Sequence, residues 1–149
     1  MRHLSRRDVL ATGAGIFAVA ALGIDAAQAA NNAQDLIKAF TGGKAATDGK
    51  VKLDLPEIAE NGNTVPMTVT VESPMTDASY VSQVLIVADG NPNGGVVTFH
   101  FTPASGVAEA NTRIRLAQTQ NIIAVAKMND GSCFTATKQV KVTIGGCGG

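Results

Sequence analysis

The sequence predicts a mainly β protein, an antiparallel β-sandwich preceded by one short helix and followed by a glycine-rich tail. Its basis is about seven short segments that alternate between apolar and polar residues, with turn residues between them at intervals of about ten positions. One segment near residue 35 instead repeats its apolar residues at helical spacing. A small β-barrel is the alternative architecture that this pattern allows.

The first 29 residues have the organisation of an export signal and are set apart from the fold. Arg6 and Arg7 form a twin-arginine pattern, and a moderately apolar stretch at residues 9–24 follows it. Residues 27–29 read Ala-Gln-Ala, which is typical of a cleavage site. We therefore expect the twin-arginine route to carry the protein to the periplasm and the signal, residues 1–29, to be removed.

One small domain, residues 30–144, and a tail, residues 145–149, remain after this cleavage. The complete chain has 12 basic and 12 acidic residues, and this balance gives no indication of a nucleic-acid partner. We also expect no membrane association after processing. Because Trp is absent and aromatic residues make up 4% of the chain, the core has to be built mainly from aliphatic side chains.

The predicted helix begins near Asn31 or Asn32, either of which can cap it, and ends at Gly42 and Gly43. One apolar stripe follows its length, formed by Ala33, Leu36, Ile37 and Phe40. This stripe is expected to pack against the sandwich or against a partner subunit.

Seven strands are predicted after the helix. They span residues 51–55, 65–72, 80–88, 96–102, 112–116, 121–128 and 133–144. A turn at residues 61–63 precedes the second strand, and residues 138–139 are a candidate bulge in the last. Alternation in that last strand places one set of residues on a shared face, namely Phe134, Ala136, Val140, Val142 and Ile144. Cys133 then lies on the opposite face.

Cys147 is the residue to which we assign the function. It lies between Gly145-Gly146 and Gly148-Gly149, four residues without side chains that predict a thin, flexible arm able to enter a narrow pocket. A thiolate is a good nucleophile in exchange chemistry, but no nearby basic residue would lower the pKa of this thiol. The tail therefore suits a carrier whose cysteine is activated inside another protein, rather than an independent enzyme.

Other candidate residues carry weaker signals, and no catalytic or metal-binding constellation is predicted. His100 is expected on the polar face of a strand, and Arg113 and Arg115 on a solvated or partner-facing surface. Cys133 is expected to be a small buried side chain. A disulfide between Cys133 and Cys147 would require the last strand to bend sharply.

Residues 141–149 resemble the C-terminus of SoxY, the sulfur-carrier subunit of the SoxYZ complex in bacterial thiosulfate oxidation. The leader, helix, β-domain and tail occur in the same order as in that family, whose carrier cysteine corresponds to Cys147. The resemblance implies an immunoglobulin-like sandwich in a heterodimer with a SoxZ-like subunit. Cys133 is not part of the family motif.

The resemblance also implies a non-enzymatic role with no cofactor other than sulfur species bound covalently to Cys147. A SoxXA haem protein would join thiosulfate to the thiol, a SoxB hydrolase would release sulfate, and a sulfane dehydrogenase would act on the remaining sulfur. The alternative is an exported β-sandwich adaptor that uses Cys147 only for disulfides between proteins.

Overall fold

The computed structural model describes residues 31–146, so the predicted export signal and Cys147, Gly148 and Gly149 lie outside the described residues. One helix and nine strands occur in this part of the chain. In chain order they are α1 (Ala33–Thr41), β1 (Thr47–Asp48), β2 (Val51–Asp54), β3 (Ile58–Ala59), β4 (Val65–Val71), β5 (Val81–Ala88), β6 (Gly95–His100), β7 (Ala108–Ile114), β8 (Gln120–Met128) and β9 (Cys133–Val142). A single turn of 3-10 helix, Pro103–Ser105, joins β6 to β7.

The strands form two sheets, which confirms the predicted β-sandwich. The large sheet has the order β1-β9-β8-β5-β6, with β3 also pairing with β9, and the small sheet has the order β2-β4-β7. Neighbouring strands are antiparallel except for β1 and β3, which both run parallel to β9. These two parallel strands have two residues each, which is too short for alternation to reveal them.

The core lies between the two sheets, and strand alternation supplies it from both sides. In β4, Val65, Met67, Val69 and Val71 are buried, whereas the residues between them are partly or fully exposed. In the large sheet β5 and β8 supply the facing side chains, among them Val84, Ile86, Ile122, Ala124 and Ala126. Burial of these aliphatic side chains is the main favourable contribution to folding.

Helix α1 packs on the outer face of the large sheet, as one of the two predicted arrangements required. At its start the Asn31 side-chain oxygen accepts the Ala33 amide at 2.8 Å, and at its end Gly42 has a left-handed φ of 66°. The helix and sheet residues in this contact are Ala33, Leu36, Ile37, Phe40, Leu85, Val87 and Ile123. No helix within residues 31–146 has the length and apolarity needed to cross a membrane.

Several strand details differ from the predictions: nine strands occur instead of seven, and β9 ends at Val142 rather than at residue 144. Strand β7 begins at Ala108, four residues before the predicted start at residue 112, because pairing with β4 extends from Val71 back to Val65. The candidate bulge at residues 138–139 is wrong, since the β8–β9 register is unbroken there. The register shifts lie in β5 instead.

Candidate functional site

The described part of the predicted carrier segment ends at Gly146, directly before Cys147 in the sequence. Strand β9 ends at Val142. Residues 143–146 continue beyond it between two loops of the domain, the one that follows β3 and the one that follows β7. The geometry of this short segment is therefore what the structure shows of how the cysteine is attached to the domain.

The end of β9 is held on one side by the chain around β3. The Lys141 amide donates to the Glu57 carbonyl at 2.9 Å, and the Thr143 amide donates to the Ala59 carbonyl at 3.1 Å. The Thr143 hydroxyl adds a bond to the Glu60 carbonyl at 3.0 Å. Pairing with residues 57–60 thus continues past the last residue of the strand.

The loop after β7 holds the opposite side. The Thr119 side-chain oxygen accepts the Val142 amide at 2.9 Å, so the loop fixes the strand where its ladder with β8 has already stopped. Val142 and Thr143 are therefore hydrogen-bonded on both sides, to Thr119 and to residues 59–60.

Two backbone hydrogen bonds then connect the segment to the loops at Gly62 and Leu116, and a third joins these loops to each other. The Gly62 amide donates to the Ile144 carbonyl, the Leu116 amide donates to the Gly62 carbonyl, and the Gly146 amide donates to the Leu116 carbonyl, each at 2.8 Å. We call this arrangement of residues 62, 116, 144 and 146 the tail junction. Gly146 is buried within it.

Close backbone contact is the reason for glycine at positions 62, 145 and 146. A methyl group on Gly145 would collide with the Ala117 carbonyl, and one on Gly62 with the Leu116 carbonyl. On Gly146 it would lie 2.8 Å from the Gly62 oxygen and 3.1 Å from the Asn63 nitrogen. None of the three glycines has a positive φ, so space and not backbone angle excludes a side chain here.

Close contacts with the domain accompany the first two glycines of the predicted arm. The structure places Gly145 and Gly146 beside neighbouring backbone and buries Gly146, and the flexibility of the arm stays a prediction. Ile144, predicted to share a face with Val140 and Val142, is 68% exposed because β9 ends two residues earlier. Nothing in the local sequence distinguishes this packing from a free glycine linker, and the sequence around Gly62 predicts only a turn.

Cys133 lies at the opposite end of β9 from Gly146. Its side chain is 4% exposed, and its sulfur is 3.6 Å from the Gly131 carbonyl. It is a free thiol within the described residues. The straight pairing of β9 with β8 separates Cys133 from Val142 by roughly 30 Å at about 3.3 Å per residue. The predicted buried position of Cys133 is confirmed.

The remaining candidate residues do not converge on the tail. His100, Arg113 and Arg115 are all exposed, the last two beside a cavity of about 330 Å³ between β6 and β7. Residues 31–146 contain no cluster of three or more His, Cys, Asp or Glu side chains that could hold a metal ion. Asp130 lies in the turn between β8 and β9, and hydrogen bonds from the Ser132 hydroxyl and amide lower its pKa.

The fold and the tail junction define a class of small β-sandwich domains whose last strand leads into a Gly-Gly-Cys segment. The family model described as "Sulfur oxidation protein SoxY" matches residues 37–147, a range that includes the tail junction and Cys147. The chain belongs to the SoxY family.

Solved structures agree with this assignment. The sulfur carrier protein SoxY from Chlorobium limicola f thiosulfatophilum is 30% identical and aligns over 72% of this chain and 89% of its own, with a TM-score of 0.62. No curated protein sequence matches the chain. Membership of the family and the carrier relative together support a sulfur-carrier role in sulfur oxidation.

Superoxide reductases share the fold. The enzyme from Ignicoccus hospitalis is 18% identical, with a TM-score of 0.57 over 63% of this chain and 80% of its own. A putative superoxide reductase from Thermotoga maritima is 19% identical, with a TM-score of 0.53 over 69% of this chain and 89% of its own. At such identities the similarity concerns the β-sandwich alone.

Proposed function

We propose that this protein is a periplasmic covalent sulfur carrier in which Cys147 holds sulfur intermediates derived from thiosulfate and presents them to partner enzymes. The observation that carries the proposal is the family match, which extends through Cys147. The similarity to the solved sulfur carrier from Chlorobium limicola supports it. Export would follow the twin-arginine signal at Arg6 and Arg7.

The chemistry needs one thiol and several partners. Loading joins the Cys147 thiolate to the sulfane sulfur of thiosulfate, forming a cysteine S-thiosulfonate and releasing two electrons to a haem enzyme of the SoxXA type. Water then hydrolyses the sulfonate with a SoxB-type enzyme, releasing sulfate and two protons and leaving a persulfide on the cysteine. A sulfane dehydrogenase would oxidise that persulfide.

The carrier itself contributes access rather than catalysis. Because Cys147 has neighbours without side chains on both sides, a partner's active site can surround the sulfur closely. A SoxZ-like subunit would complete the carrier as a heterodimer. The buried position of Cys133 makes that thiol a poor substitute, since a reacting thiolate must be reachable.

Mass spectrometry of the protein from cells oxidising thiosulfate tests this function. We expect reductant-labile mass additions confined to the peptide that contains Cys147, since a cysteine-bound sulfonate or sulfane is an exchangeable S–S bond. Cys147→Ser should abolish both the additions and thiosulfate-dependent respiration.

Cys133→Ala is the matched control, because it removes the other thiol and should retain most of the activity. Additions on the Cys133 peptide, or normal respiration with Cys147→Ser, would refute the assignment. Loss of activity in both variants with an intact fold would also contradict a single-thiol carrier.

A further inference from the structure

We propose that Ile58 and Ile144, two exposed isoleucines at the end of the domain from which the tail leaves, form a docking surface for the enzyme that loads Cys147. This inference rests on the proposed carrier function and adds to it two residues outside the tail itself. The partner that this surface fits is an enzyme whose catalytic pocket admits the tail and has apolar side chains around its mouth.

The first support is where the exposed apolar side chains lie. Within residues 31–146 three large apolar side chains are strongly exposed, Ile58 at 57%, Val107 at 65% and Ile144 at 68%. Single exposed apolar residues are common on protein surfaces, so exposure alone does not mark an interface. Two of these three, however, lie at the end of β9 that leads into the tail.

The second support is that the backbone of Ile58 is held against this end of β9. Ala59 is buried, so Ile58 beside it in β3 faces solvent. Ile58 pairs in register with Lys141. The carbonyl groups on either side of it, those of Glu57 and Ala59, accept amides of β9 and of the residue after it at 2.9 and 3.1 Å. The folded domain therefore presents this side chain at a defined position.

Ile144 is likewise attached to the domain, because its carbonyl accepts the Gly62 amide at 2.8 Å. Strand β9 ends two residues earlier, and the Ile144 side chain is left in water. Transfer of such apolar surface from water to the apolar surface of a partner is favourable and needs no particular direction of contact. One such surface can therefore serve more than one enzyme.

Chain length connects this surface to the partner. Ile144 and Cys147 are three residues apart, so their Cα atoms are separated by at most about 11 Å. This limit holds for every conformation of the two glycines between them. An enzyme that encloses the sulfur of Cys147 must therefore come against the domain close to Ile144.

The same limit favours a transient enzyme over a permanent subunit as the occupant. A SoxZ-like subunit that always covered Ile144 would occupy space that each processing enzyme needs. The charged residues near the two isoleucines in sequence have both signs, and Glu57, Glu60 and Lys141 are all exposed. An apolar centre with a polar, solvated rim is typical of protein–protein interfaces.

Ile58→Ser and Ile144→Ser test this proposal in the full chain in complex with the SoxZ-like subunit. Both remove an exposed apolar side chain and leave Cys147 and its flanking glycines unchanged. We expect each to raise the KM of a SoxXA-type enzyme for the carrier about fivefold or more, and the double variant about twentyfold or more. The value of kcat should stay within about twofold of the parent, because the substitutions weaken association and do not alter the thiol.

Val107→Ser is the matched control, since it removes a similarly exposed β-branched side chain far from the tail. Val107 directly precedes β7, whose seven residues extend roughly 23 Å, at about 3.3 Å per residue, toward the loop beside the tail. Its KM should stay within about twofold of the parent. Alkylation of Cys147 by iodoacetamide, in a Cys133→Ala background, should be unchanged in all variants, since a small reagent needs no docking surface.

Parental KM values in both isoleucine variants, or an equal rise in Val107→Ser, would overturn the proposal. Loss of the heterodimer in size-exclusion chromatography, with the variant still folded by circular dichroism, would assign the surface to the SoxZ-like subunit and overturn it as well. Ile58→Thr and Ile144→Thr, which keep the β-branched shape, replace any Ser variant that fails to fold.

Failure of the carrier function has a different signature. Sulfur loading that persists in Cys147→Ser would overturn the carrier function and the docking surface together. Loading that requires Cys147, with parental KM values in the isoleucine variants, would overturn the docking surface alone.

Discussion

Asn91→Ala should destabilise the domain strongly, because the Asn91 side chain makes three hydrogen bonds. Asn91 is 3% exposed and lies in the loop between β5 and β6. Its amide bonds to the Arg115 carbonyl and the Ala117 amide, and also accepts a bond from the Gln120 side chain. Truncation removes all three bonds at once and leaves the partners in place.

The magnitude follows from what each partner can do afterwards. A buried polar group left without a partner costs about 1–3 kcal/mol. Gln120 keeps a bond to the Gln118 carbonyl at 3.0 Å, so the two backbone groups of Arg115 and Ala117 account for most of the loss. Because neither residue is fully buried, water should recover part of it. We expect a free energy of unfolding lower by about 2–4 kcal/mol, and a Tm lower by roughly 8–16 °C.

Urea unfolding followed by far-UV circular dichroism measures this loss, since the chain has no Trp. Asn93→Ala is the matched control two residues away: Asn93 is exposed and makes a local bond to the Gly95 amide at 3.2 Å. The control should change stability by about 0.5 kcal/mol or less. A free energy of unfolding of Asn91→Ala within about 1 kcal/mol of that of Asn93→Ala would contradict a stabilising role of the buried Asn91 hydrogen bonds.

Two further predictions concern the periphery of the domain. Phe40→Ala removes an apolar contact of α1 with the large sheet and the ring whose centroid lies 4.6 Å from the Lys127 ammonium group. Backbone amides of α1 should then exchange hydrogen faster, while those of β8 stay protected. An equal increase in exchange rate in β8 would contradict a local effect on the helix. Ser132→Ala removes the hydroxyl donor to Asp130 and should raise its lowered pKa toward the ordinary value in an NMR titration. A carboxyl whose pKa is lowered in the folded state stabilises the fold at pH values above its ordinary pKa, and this stabilisation is lost as pH falls through the folded-state pKa. The loss of stability on acidification should therefore be smaller in Ser132→Ala. An unchanged pKa of Asp130 in the variant would contradict the role of the Ser132 hydroxyl.

The parts of the fold that local chemistry determines were predictable. The strand predicted at residues 65–72 alternates in sequence, and the apolar residues of its alternation, Val65, Met67, Val69 and Val71, are the buried ones, because one face of that strand meets the core. The glycine pair after α1 correctly marked the end of the helix, since Gly42 adopts a left-handed conformation that most residues avoid.

Pairing between distant segments accounts for most of the errors. The start of β7, residues 108–111, has small and polar residues of low strand propensity, and its pairing with β4 overrides that preference. Strands β1 and β3 exist because β9 offers them an edge, which no two-residue pattern can reveal. Alternation places Ile144 on the same face as Val140, but the strand stops at Val142 and Ile144 is exposed.

The tail shows the same limit at the site itself. A glycine can be required for conformational freedom or for close contact, and the two requirements leave the same letter in a sequence. The close contact at Gly146 comes from Gly62, which lies more than eighty residues earlier in the sequence, so only the structure distinguishes the two requirements. The carrier hypothesis needs a thiol that partner enzymes can reach. At Gly145 and Gly146 both requirements favour glycine, because a methyl group would meet neighbouring backbone there and a larger side chain would crowd the sulfur of the proposed carrier.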